Sequence, residues 1–197
     1  MPLTEVVVLT QPKVEPVSRA EAKRWMNIDD EFTDDDALIV GMITTARINV
    51  ERFLGRALIS QVRQAYWDSI RDRIWMPYPP IINVDEAIRI RLNEETTLTE
   101  NSDYFVQGIQ DLWLRMATPF NLPAGHSPND RFSEFELKVK YTAGYGTDAT
   151  DVPETIREAI KMIVATSYAN RGNISEEEMT KIPAGAKFKL YPFKIIL

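Results

Sequence analysis

The sequence predicts an α+β fold: a helical body of two long helices plus a short N-terminal helix, an inserted antiparallel β lobe, and an extended C-terminal arm. Three observations predict it. Residues 33–58, TDDDALIVGMITTARINVERFLGRAL, repeat apolar positions at helical spacing. A second stretch of the same period opens at residue 151. Between the two, from residue 57, the period falls to two. The body therefore spans 18–56 and 151–172, the lobe 57–146 and the arm 173–197.

Each element has its own local warrant. Residues 1–17 read as extended, with Val6-Val7-Val8 bounded by Pro2, Pro12 and Pro16. Ser18 and Glu21 have the spacing of a capping box, and Val17 is placed to staple against Ala22. The helix that follows, 19–26, is expected to bury Ala22, Trp25 and Met26. A polar loop, 27–31, leads to the long helix. There Thr33 serves as N-cap and Asp34, Asp35 and Asp36 sit at the positive end of the helix dipole. Ile39, Ile43, Ala46, Val50, Phe53 and Leu54 form one apolar stripe, and Gly55 ends the helix in a left-handed conformation. Ile48 points almost opposite to that stripe, where a neighbouring subunit would pack.

Strands fill the middle. Ile59, Ala65 and Trp67 alternate with Val62 and Tyr66, and Tyr78-Pro79-Pro80 interrupts the segment after 74–77. In 87–92, AIRIRL, Ile88, Ile90 and Leu92 take one face and Arg89 and Arg91 the other. Asn93-Glu94-Glu95 turns the chain into 96–99, and short strands follow at 104–107 and 112–116. Residues 117–131 hold three prolines and a glycine and read as a loop. Phe135, Leu137, Val139 and Tyr141 then alternate with Glu136, Lys138 and Lys140. After a Gly-rich turn, Pro153 marks the first turn of the second long helix, whose stripe is Ile156, Ala159, Ile160, Ile163 and Ser167.

Composition excludes several classes. The net charge of −6 argues against a protein that clamps nucleic acid by neutralising phosphates. The absence of cysteine removes disulfides and thiolate metal sites. No apolar run approaches the roughly 18 residues a membrane span needs, and the N-terminus makes a poor signal peptide.

Candidate chemistry reduces to structure at most positions. The carboxylates Asp29, Asp30, Glu31, Asp34, Asp35 and Asp36 lack the alternation and central glycine of a calcium loop, so capping and a solvated face explain them better than a metal or a carboxylate-dependent hydrolase. His126, the only histidine, lies in a Pro/Gly loop without a nucleophile elbow beside it. Gly144-Tyr145-Gly146 lacks the lysine of a phosphate loop. Arg89, Arg91, Lys138 and Lys140 would share one surface if their strands pair, with Glu95 and Glu136 at hand to neutralise them. The chain end KFKLYPFKIIL is apolar enough to require a partner, either its own domain or another protein.

Four segments carry a resemblance: PVSRAEAKRWMNID (16–29), DDDALIVGMITTARINVERFLGRALI (34–59), FELKVKYTAGYG (135–146) and DVPETIREAIKMIVATSYANRG (151–172). In this order and spacing the chain resembles the head–tail connector proteins of tailed bacteriophages, gp6-like or phiE125 gp8-like. The resemblance implies a single connector domain over 1–172 and a structural, non-enzymatic role without cofactor or metal. It implies a ring on the order of twelve subunits beneath the portal protein, extending the DNA channel and carrying a tail platform. The partners implied are the portal and a stopper or tail-completion protein, with DNA passing through unread and no membrane involved. The location implied is the virion neck, assembled in the host cytoplasm. A tail-side completion or stopper protein is the alternative. Lys187, Phe188, Leu190, Tyr191, Phe193, Ile195 and Leu197 become the candidate portal-docking arm, and Ile48, Arg89 and Arg91 the candidate subunit interface.

Overall fold

The computed structural model describes residues 3–70, 72–91, 94–108, 113–117, 136–171 and 182–195. The fold is α+β, and the chain forms two compact units. One comprises Met1–Gln11 and Ser60–Gly144; the other comprises Pro12–Ile59 and Tyr145–Leu197.

The second unit is helical. Helix α1, Arg19–Trp25, starts at the expected capping box: Ser18 accepts from the Glu21 amide, and the Glu21 carboxylate accepts from the Ser18 amide at 2.8 Å. Trp25 is corrected from core to surface, 46% exposed, with the Lys161 ammonium over its ring at 5.2 Å. Lys23 is buried in its place. Helix α2, Asp36–Leu54, buries Ile39, Ile43, Ala46, Val50 and Leu54 and ends at Gly55 with φ 66°, as the sequence predicts. Its start differs. Asp35, not Thr33, occupies the cap position and makes no side-chain cap bond. The reason lies in Lys23, whose Nζ donates to the carbonyls of Asp30 (3.2 Å) and Phe32 (2.6 Å) and pairs with Asp36 (2.6 Å). That lysine fixes the loop so that the first turn opens at Asp36.

Helix α3, Glu154–Ala169, follows Pro153 and buries Ile156, Ala159, Ile160, Ile163 and Val164 against α2 and α1. Ser167 is only half-buried. The extended arm is overturned. Residues Ala184–Leu190 form a helix, α4, with Ala186 and Leu190 buried one turn apart in the core shared with α2 and α3. Pro192 falls beyond it, in a 3₁₀ turn over Tyr191–Phe193, and so ends the helix without breaking it. The chain end is tied down: the Ile195 amide donates to the Leu54 carbonyl (3.0 Å) and Arg56 Nε to the Phe193 carbonyl (2.7 Å).

The first unit is a pair of antiparallel sheets. Five strands, β1 (Leu3–Thr10), β2 (Gln61–Trp67), β8 (Leu137–Ala143), β4 (Ile81–Arg91) and β5 (Glu94–Leu98), lie in that spatial order. The second sheet orders β3 (Arg73–Trp75), β7 (Trp113–Met116) and β6 (Tyr104–Gln107). Strict alternation in β2 and β8 buries Ala65, Trp67, Leu137, Val139 and Tyr141 on one face. The buried Tyr141 hydroxyl donates to the Pro77 carbonyl at 2.8 Å. Burial, the larger effect, pushes that phenol far above its ordinary value, and the Arg63 charge only partly opposes it.

The four-cation face does not form. Strands β4 and β8 do pair, but the register sets Lys138 opposite Ile88 and Arg89 opposite Leu137. Arg89 and the two lysines therefore project on opposite faces of the sheet. Lys138 is paired instead with Glu95, at 2.7 Å.

Candidate assembly surface

In the helical unit, the helix end of the acidic run is held by the chain's own side chains. Asp36 is held by Arg19 at 2.6 Å as well as by Lys23. Asp35 accepts from the Tyr168 hydroxyl at 2.5 Å, a bond that raises the tyrosine pKa. Asp29, Asp30, Glu31 and Asp34 remain exposed. Among the described residues no group of three or more His, Asp or Glu side chains is placed to hold a metal ion.

Two further networks stiffen this unit. Arg47, 2% exposed, is bonded to Glu15 (2.8 Å) and Glu51 (3.2 Å), and the other oxygen of Glu51 accepts from the Leu58 amide at 3.0 Å. Arg157 joins α1 to α3 by pairing with Glu21, while its Nε donates to the Pro16 carbonyl at 2.9 Å. Burial raises the Glu21 pKa, but the Ser18 hydrogen bonds and the charges of Arg157 and Lys161 outweigh it and leave the carboxyl below its ordinary value.

The same unit carries an apolar groove between the outer side of α2 and the C-terminal half of α3. Its volume is about 360 Å³, with Leu38, Gly41, Met42, Thr45, Ile163 and Ser167 among its walls. Leu38 is 42% exposed and the adjacent Val40 46%. A side chain at Gly41 would meet nothing within 4 Å. At the other end of α2 the tail presents aromatics. Phe188 is 81% exposed, and Tyr191 is 59% exposed with its ring edge-on to Phe53 at 5.7 Å.

The candidate site residues separate accordingly. Of the tail set, Leu190 is core, Phe193 and Ile195 are half-buried, and Phe188 and Tyr191 stand open with Lys187 beside them. Leu197 lies outside the described residues, as do His126 and most of the 117–131 loop. Ile48 is half-buried, one turn beyond Thr45 on the side of α2 that carries Gly41, Thr45 and Arg52. Arg89 and Arg91 lie on β4, in the other unit. The groove itself was missed in the sequence. Leu38 and Val40, two apolar residues off the buried stripe, were the available signal.

Residues 20–110 match the family described as "Phage gp6-like head-tail connector protein". Over this segment the chain is similar to the gp6-like head–tail connectors. The matched segment includes α2, strands β2 to β6 and all but the first residue of α1. No curated protein sequence matches the chain. Solved structures share the fold over 98% of the chain. A chain from the "Neck of empty GTA particle computed with C6 symmetry" is 15% identical, with TM-score 0.77, covering 98% of this chain and 97% of that one. A chain from the "Virion of native gene transfer agent (GTA) particle" is 17% identical, with TM-score 0.75 and the same coverage. A third, from the "Neck of native GTA particle computed with C12 symmetry", is 15% identical with TM-score 0.71, again over 98% and 97%.

Proposed function

We propose that this chain is a neck adaptor: a structural protein that closes into a ring beneath a portal, extends the DNA channel and carries the platform for a tail. The observation that supports it best is correspondence along 98% of the chain with a protein in a particle neck computed with C12 symmetry, which suggests a ring of about twelve copies. Surface chemistry agrees with the role. A closed ring needs a heterologous contact, and the exposed apolar side of α2 offers one half of such a contact. Ile48, Arg89 and Arg91 remain the proposed interface residues outside the groove. The net charge of −6 lets DNA slide through a channel without being held. The neck is the proposed location, assembled in the cytoplasm of the host.

Mass photometry of the purified protein, alone and with its cognate portal ring, tests this reading. A species of 22.6 kDa that assembles into a ring on the portal, or a ring that then binds the portal, is the expected result. Binding to a tail end with no affinity for the portal would move the chain to the stopper position. No assembly with either partner would sink the neck reading.

A further inference from the structure

Among the described residues, both halves of one contact lie on the same chain. The groove between α2 and α3 is open and apolar, and among the described residues no side chain fills it. Phe188 is a large apolar group that its own unit leaves 81% exposed, because α4 spends Ala186 and Leu190 on the core and turns Phe188 the other way. The two features do not meet within one copy: the groove's walls on α2 run from Ala37 to Asn49, the tail closes on Leu54 beyond that end, and Phe188 is not among the walls.

Charge complements shape. Residues 182–195 contain Lys187, Lys189 and Lys194 and no carboxylate. The groove's first wall residues, Ala37 and Leu38, directly follow the acidic run, in which Asp29, Asp30, Glu31 and Asp34 are exposed. A basic, aromatic knob at one end and an acidic-mouthed apolar hole at the other make a head-to-tail contact that repeats from copy to copy.

We infer that Phe188 of one copy seats in the α2–α3 groove of the next, with Lys187 and Lys194 facing the acidic loop. The inference rests on the ring reading and supplies its interface. The portal is the competing occupant for the tail, but the surface that would complement the tail on a second copy is already present in this chain.

The cysteine-free sequence allows a clean test. The double variant F188C/T45C, full length, is oxidised alone and on the portal ring, beside each single variant. Disulfide-linked oligomers from the double variant only are expected. In parallel, F188A, and G41L to fill the groove, should each weaken self-association about tenfold or more without lowering the unfolding temperature. Rings that form without cross-linking, and that both substitutions leave intact, overturn the inference while sparing the ring. Loss of portal binding by F188A with the ring unchanged overturns it in favour of the portal. Absence of any ring removes the reading on which it stands.

Discussion

At the scale of single residues, Glu51 closes the end of α2. One oxygen meets the buried Arg47 and the other accepts the Leu58 amide. Glu51→Ala removes one ion pair of the buried Arg47, keeps the one to Glu15 and strands that amide, and it should cost about 3–5 kcal/mol in urea unfolding. Glu51→Gln keeps an acceptor for Leu58 and should cost less, about 1–3 kcal/mol. Equal losses would show that the carboxylate charge is what matters. Glu21 makes a pH prediction. Its folded pKa lies below the ordinary 4.5, so its contribution is complete above that value and is lost as pH falls through the folded one. Glu21→Gln should flatten the acid limb of the stability profile and leave the limb above neutrality unchanged.

At the scale of elements, the tail shows where sequence reasoning stops. In KFKL basic and apolar residues alternate, which reads as extended, yet four residues are too few to separate period two from a short helix. Ala186, upstream of that motif, decides it by pairing with Leu190 at helical spacing in the core. Leu190→Ala should therefore cost about 2–5 kcal/mol, whereas Phe188→Ala should stay within about 0.5 kcal/mol. Thermal unfolding of the two variants checks the contrast, and equal effects would restore the extended arm. The α1 capping box and the Gly55 stop were readable because each is local chemistry. The start of α2 was not, because Lys23, one helix earlier, sets it through carbonyls of the intervening loop. The assembly surface was half readable. An apolar chain end announced itself, but which of its side chains face solvent depends on packing against α2 and α3.

At the scale of the whole molecule, the alternation that marks β2, β4 and β8 was readable, and their partners were not. The register that sets Lys138 opposite Ile88 and Arg89 opposite Leu137 passes through shifts between Ile81 and Asn83 and between Val84 and Glu86, and no local pattern encodes it. The same holds for β1. Its residues belong to the unit that resumes at Ser60, because the edge of β2 takes up Leu3–Thr10 across some fifty intervening residues. That partition makes a prediction for the full chain. Removing residues 1–10 strips one neighbour from β2 but leaves β8 on its other side. Hydrogen exchange should accelerate in Gln61–Trp67 and change little in the buried stripes of α2 and α3, whose core draws no residue from that strand. Equal loss of protection in those helices would mean that the two units unfold as one cooperative body, and that β1 stabilises both.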